Sequence, residues 1–346
     1  MNPNVLEIED LQVSFFSDEG EARAVNKVRF AVPRGKVLAL VGESGCGKSV
    51  TSYSVLRLIR KPGKITGGRI LFHSADGSSV DLASLRENDP RLFDIRGNRI
   101  AMIFQEPMTA LSPVHTIGNQ LEEVLFTHGK PAKAEAKARV IEMLGRVGIP
   151  APERRYAQYP FELSGGMRQR IVIAMAMLSS PELLIADEPT TALDVTIQAQ
   201  VLALMQSLQR ETGSSVLLIT HDLAVVAQVA DFVAVMYLGR IVEQGSVREI
   251  IKSPRHPYTH GLLESLPGLH GRRERLPSIR GTVPGLFDLP EGCPFHPRCD
   301  FAKKGLCDRG EPPPEQVTSD GRRLCCFRAE EMAELLKKRD GAETTA

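Results

Sequence analysis

Apolar and polar positions along the chain fall into runs of two periods. LEIEDLQVSFF and NKVRFAVPRG are short β-branched and apolar runs broken by turn residues, which predicts antiparallel strands in an outer β-layer. KVLALVG, LLIAD (Leu183 to Asp187) and SVLLIT (Ser215 to Thr220) are almost wholly apolar at strand length, the pattern of strands covered on both faces. A glycine-rich turn and the helically spaced VTSYSVLRLI follow the first of them, and TIQAQVLALMQSLQRE, with helical spacing, separates the other two. Parallel strands with helical crossovers are therefore expected. From about Thr116 to Gln158 the chain is helix-rich, as in LEEVLF and AKAEAKARVIEMLGRVG, which predicts a helical subdomain over about 106–165. FVAVMYLGRIVEQG reads as a hairpin turning at Leu238 and Gly239. After about Ile251 the composition shifts toward Pro, His and Arg, which sets a boundary between 1–250 and 251–346.

Composition narrows the class. Of 346 residues, 42% are hydrophobic and 25% charged, which excludes a disordered chain. Lys and Arg total 43 against 42 for Asp and Glu, so no global positive field steers the protein to nucleic acid. No apolar run reaches the roughly 18 to 20 residues of a spanning helix. Met1 to Asp10 has neither a basic segment nor an apolar segment of the secretory kind, and a chain made and kept in the cytosol is expected. Five of the six cysteines lie between Cys293 and Cys326, which in a reducing compartment points to metal chemistry before disulfides. Their clustering marks a separate C-terminal module.

GESGCGKS, Gly42 to Ser49, fits the phosphate-loop pattern G-x-x-x-x-G-K-S and stands between an apolar strand and a helix, the context that pattern requires. Gly42, Gly45 and Gly47 let the backbone wrap phosphates, and the helix N-terminus adds partial positive charge. The nucleotide-contacting set is Gly42, Ser44, Gly45, Cys46, Gly47, Lys48, Ser49 and Val50. Lys48 is expected on the β and γ phosphates, and Ser49 on Mg²⁺. LLIADE places Asp187 and Glu188 at the end of a buried strand. Asp187 would hold Mg²⁺ through its water shell, while Glu188 would orient and deprotonate the attacking water.

LSGGM, Leu163 to Met167, precedes this acidic strand and resembles the signature motif of ABC ATPases. Ser-Gly-Gly is by itself also an ordinary helix start capped by Ser164. Its neighbours extend the resemblance in family order: Gln105 in IFQEP matches the Q-loop, Asp194 in TALD the D-loop and His221 in LITHD the switch histidine. The resemblance implies a P-loop ABC-type nucleotide-binding domain of the α/β class, with a parallel-sheet core, an antiparallel β-layer and a helical subdomain. It implies that Gln105 senses Mg²⁺ and the attacking water, that His221 contacts the γ phosphate and that Asp194 communicates across a dimer interface. Phe15 is similar to the aromatic that stacks on adenine, with Phe16 adjacent and a core role equally open. Met167 stands where many members have Gln, a variant found in peptide importers. Ser164, Gly165 and Gly166 would meet ATP held by the opposite subunit, so a second ATP-binding chain is implied, in an expected heterodimer. Two membrane-spanning permease subunits would dock beside Gln105 and the helical subdomain, and an extracytoplasmic solute-binding protein would act through them.

SPRHPYTHGLLESLPG, Ser253 to Gly268, and CPFHPRC, Cys293 to Cys299, resemble the C-terminal extension of dipeptide and oligopeptide importers. The resemblance implies ATP-driven peptide uptake from the cytoplasmic face of a bacterial inner membrane. Relatives importing nickel or glutathione are the alternative within the family. Cys293, Cys299, Cys307 and one of Cys325 or Cys326 offer four thiolates, a number suited to a [4Fe–4S] cluster or to tetrahedral zinc; the spacing is not diagnostic, and the absence of a C-x-x-C pair disfavours common zinc ribbons. Resemblance to importer subunits carrying a [4Fe–4S] cluster favours iron, with Cys326 as fourth ligand because Phe327 follows it. Its role would be structural or redox-regulatory. His256 and His296, flanked by proline, read as structural or exposed residues, Cys46 as a small tolerated residue, and the basic HGRRERLP as a solvated linker. A soluble ABC protein of translation or DNA repair is the rival of another class; it would need a tandem domain, a long coiled-coil insertion or a basic face.

Overall fold

A computed structural model of the chain describes residues 2–106, 109–191, 193–266, 278–318 and 320–343; the HGRRERLP stretch lies outside them. The strands are β1 (Asn4–Ser17), β2 (Gly20–Pro33), β3 (Val37–Val41), β4 (Gly63–His73), β5 (Ser79–Asp81) and β6 (Ile100–Ile103). They continue as β7 (Leu183–Asp187), β8 (Ser215–Thr220), β9 (Phe232–Tyr237), β10 (Arg240–Ser246), β11 (Gln316–Val317) and β12 (Arg323–Leu324). The helices are α1 (Lys48–Val55), α2 (Pro90–Ile95), α3 (Ile117–His128), α4 (Lys133–Arg146), α5 (Pro152–Tyr156) and α6 (Gly165–Met177). After them come α7 (Val195–Thr212), α8 (Leu223–Val229), α9 (Val247–Lys252), α10 (Pro257–Glu264) and α11 (Ala329–Glu343).

Two compact units share these elements, the first comprising residues 1–6, 32–36 and 72–218. Its β6 and β7 run parallel, with Ile100 opposite Leu183 and Ile103 opposite Ala186. Every residue of β7 is buried, which is why LLIAD carries no polar position before its terminal Asp187. The helix-rich stretch forms α3, α4 and α5. On α4 the buried residues Ala136, Val140, Met143 and Leu144 recur at helical spacing, leaving Lys and Glu outward. Thr116 caps α3 by accepting from the Asn119 N–H, and Tyr156 at the end of α5 donates its hydroxyl to Glu122 on α3. These polar contacts fix the helices against one another.

The second unit comprises residues 7–31, 37–71 and 219–346. Here β2, β1 and β4 form one sheet, the outer layer expected from the N-terminal pattern. Another sheet follows the order β11, β12, β10, β9, β3. Among these five strands β3 and β9 are the parallel pair, with Leu38 opposite Phe232 and Val41 opposite Val235. β10 folds back on β9 through Leu238 and Gly239, at φ of 42° and 74°, the expected hairpin. β12 then adds antiparallel to β10, Glu243 facing Leu324, so the antiparallel margin extends past the expected hairpin to a strand that periodicity did not reveal.

Candidate nucleotide site

The phosphate loop joins β3 to α1 within the second unit. Gly47 lies at φ 104°, and a Cβ there would fall onto the Ala24 carbonyl of β2. A Cβ on Gly42 would fall onto the Met236 carbonyl of β9. Close backbone approach, more than flexibility, therefore demands these glycines. Lys48 is 5% exposed, and its ammonium donates to the carbonyls of Gly42 at 2.8 Å and Glu43 at 2.9 Å. That places a cation inside the loop's curve, beside the N-terminus of α1, where partial positive charge and first-turn N–H groups favour an anion. Ser49 and Val50 are half-buried in the first turn of α1, and Ser44 and Gly45 are exposed at the loop tip. Burial pushes the Cys46 thiol up while nearby Lys48 works against it. The net rise keeps the thiol protonated and agrees with a packing role.

Residues far along the chain hold this loop. The Glu43 N–H donates to the Tyr258 hydroxyl at 2.8 Å, and Arg298 forks onto the Glu43 carboxylate at 2.7 and 3.0 Å. Tyr258 begins α10, where the buried His256 ring accepts the Tyr258 N–H at 3.1 Å and Pro257 occupies the first turn. The HPY triplet thus builds a helix start that aims a tyrosine at the phosphate loop. His256 is a cap, and burial pushes its pKa down to about 3. Sequence reasoning missed Glu43, Tyr258 and Arg298 as site residues. The HPY motif was the available signal.

His221 is exposed just after β8, and the next residue, Asp222, caps α8. Phe15 is half-buried on β1 with its ring edge against Gly63, while Phe16 is 41% exposed and lies under the Lys64 ammonium.

In the first unit, Asp187 ends β7 at 0% exposure and Glu188 follows at φ 48°, a left-handed conformation uncommon for a side-chain-bearing residue. The Glu188 carboxylate accepts from Thr191 Oγ1 at 2.8 Å and from Gln105 Nε2 at 3.5 Å. Gln105 and Glu188 are thereby brought together. Ser164 caps α6 by accepting from the Met167 N–H, with Gly165 and Gly166 in the first turn. Gln169 of the same helix donates to the Pro189 carbonyl, so α6 is tied to the turn after the acidic pair. Asp194 caps α7, accepting from the Thr196 and Ile197 N–H groups at 3.0 Å each.

Cys293, Cys299, Cys307 and Cys326 line one small pocket of the second unit with Phe295 and Met332. Each sulfur takes a backbone N–H, from Phe295, Phe301, Lys303 and Arg328 respectively. Burial pushes Cys293 up to about 12 and Cys299 and Cys326 up to about 11. Cys325 lies elsewhere, beside Arg240 and Glu315. No group of three or more His, Cys, Asp or Glu side chains among the described residues is drawn together tightly enough to hold a metal ion as placed.

Comparison with known proteins gives the family. Residues 25–191 match the ABC transporter family, and residues 242–307 match the oligopeptide/dipeptide transporter C-terminal region. A putative peptide import ATP-binding protein of Brucella ovis is 53% identical over 337 residues, covering 95% of this chain and 98% of its own. The dipeptide transport ATP-binding protein DppD of Bacillus subtilis is 50% identical over 331 residues, covering 95% and 96%. Among solved structures, the dimeric ATP-binding cassette MJ0796 bound to ADP and Pi aligns with a TM-score of 0.60 at 26% identity, over 70% of this chain and 99% of that one. The second match falls on the residues that hold the phosphate loop. The chain belongs to the ATP-binding subunits of ABC transporters, in the branch that carries the oligopeptide/dipeptide C-terminal region.

Proposed function

We propose that the chain is the ATP-hydrolysing motor of a peptide importer, working on the cytoplasmic face of a bacterial inner membrane. The observation that carries this reading is that Tyr258 and Arg298, inside the region shared with oligopeptide and dipeptide transporters, hold the ATPase's own phosphate loop. Relatives named for peptide, dipeptide and oligopeptide transport support the solute class over nickel or glutathione and over a role in translation or repair. The chain divides into an ATPase part, 1–250, with its helical subdomain at about 106–165, and an importer-type extension, 251–346.

In this reading Lys48 and the loop amides take the phosphates, and Phe15 stacks on adenine. Oxygens of Ser49, Gln105 and Asp187 suit Mg²⁺, a hard cation that neutralises phosphate charge when bound. Glu188 orients and deprotonates water, steadied by Gln105 and Thr191. His221 contacts the γ phosphate. Ser164, Gly165 and Gly166 serve ATP held by a second ATP-binding chain, and Asp194 signals across that interface. Two permease subunits and a solute-binding protein complete the transporter. No helix among the described residues is long and apolar enough to cross a membrane.

Uptake of labelled dipeptides, longer peptides, glutathione and nickel, in cells carrying either the normal chain or Glu188→Gln, tests the motor and its solute together. Selective loss of peptide uptake is expected. Loss of another solute with peptide uptake intact overturns the solute class.

The finer reading of the thiol pocket is a [4Fe–4S] cluster on Cys293, Cys299, Cys307 and Cys326. Four sulfurs around one pocket, each accepting a backbone N–H, support it. When bound, such a cluster supplies cross-linking of the extension or a redox signal. Protein purified anaerobically is expected to contain about four irons per chain; stoichiometric zinc without iron overturns this.

A further inference from the structure

Glu43 occupies a position that the phosphate-loop motif leaves open, yet every polar group of this residue is engaged. Its N–H donates to Tyr258, its carbonyl accepts from the Lys48 ammonium at 2.9 Å, and its carboxylate receives the Arg298 fork. Arg298 has little freedom of its own. Its side chain is 4% exposed, its Nε donates to the Arg280 carbonyl at 3.0 Å, and its guanidinium lies 5.8 Å from the Tyr237 ring centre. Tyr258 is equally fixed at 0% exposure, its ring centre 4.7 Å from that of Tyr237 and 5.4 Å from that of Phe295.

Two physical consequences follow for a polyanionic ligand. A carboxylate on the phosphate loop repels phosphate, more strongly where water is partly excluded, and a bidentate guanidinium cancels that charge. Lys48 is aimed through the Glu43 carbonyl, so fixing Glu43 also fixes the cation that meets the phosphates. We propose that Arg298 and Tyr258 are positioning residues for the phosphate loop, by which the C-terminal extension sets the affinity for ATP through the geometry and charge of Glu43. The proposal rests on the loop's being the ATP site.

The test is equilibrium binding of MgATP to the purified full-length chain by calorimetry, alongside thermal melting. Arg298→Ala, which bares the Glu43 charge, is expected to weaken binding about tenfold or more. Adding Glu43→Gln to it is expected to restore most of that loss, because no bare carboxylate then faces the phosphates. Arg298→Lys keeps the charge without the fork and is expected to bind with intermediate affinity, which keeps the test open if Arg298→Ala fails to fold. Tyr258→Phe is expected to weaken binding by about threefold through the lost acceptor for the Glu43 N–H. Wild-type affinity in Arg298→Ala, or a lower melting temperature with an affinity loss that Glu43→Gln does not restore, overturns the proposal. Normal binding in Lys48→Ala would instead overturn the ATP-site reading beneath it.

Discussion

Glycine at position 47 is set by neighbours as much as by motif. The residue has φ 104°, and the carbonyl that a Cβ would strike belongs to Ala24, within strand β2. Gly47→Ala therefore meets a conformational penalty of about 1–2 kcal/mol and a collision with backbone that cannot rotate away. We expect MgATP affinity to fall about a hundredfold with far-ultraviolet circular dichroism unchanged, since an altered loop loses several phosphate N–H bonds together. Normal affinity in that variant would mean that the loop binds in another shape. At this scale the sequence was legible wherever chemistry and spacing coincide, as for Lys48, Asp187 and Glu188. Glu43 was illegible because its partners Tyr258 and Arg298 lie 215 and 255 residues away, and neither a glutamate in a loop nor an arginine between cysteines carries a local signal.

Elements with both faces covered were read correctly, because burial leaves no room for a polar position: LLIAD and SVLLIT are β7 and β8 to the residue. Elements with mixed surroundings escaped. β4 holds three glycines and alternates poorly, β6 has four residues, and β12 has two, so each relies on tertiary partners for its state. The helix start at Ser164 was legible, that at Asp194 was not. Asp194 is the N-cap of α7 with two N–H bonds, a local duty that stands beside its expected role across a dimer interface. The two duties separate by substitution. Asp194→Ala should lose about 1 kcal/mol of stability, whereas Asp194→Asn keeps a capping oxygen and should melt normally. If the interface role holds, Asp194→Asn still lowers ATP turnover in the assembled transporter. Full turnover in the asparagine variant would leave Asp194 a cap alone.

Across the whole chain, the Cys-bearing extension reads from composition as a module of its own, yet its packing argues for a share in the second unit's core. Tyr258, Leu263 and Phe295 are buried in one cluster with Val235 and Tyr237 of β9, and β12 extends the sheet beyond β10. Large side chains like these contribute about 2–3 kcal/mol each on burial, so losing three removes much of the roughly 5–15 kcal/mol that keeps a domain folded. A chain ending at Lys252 is therefore expected to be insoluble, with the Tyr237 face laid open. A chain ending at Arg328 loses only the α11 contacts, chiefly the buried Met332 and Leu336. That shorter loss should yield soluble protein with a lowered melting temperature and intact MgATP binding, because Tyr258 and Arg298 remain. Soluble yield and calorimetry on the two truncations decide the matter. A 252-residue chain that melts cooperatively and binds MgATP normally would restore the extension to a separable module, and would remove the physical basis for its control of the phosphate loop.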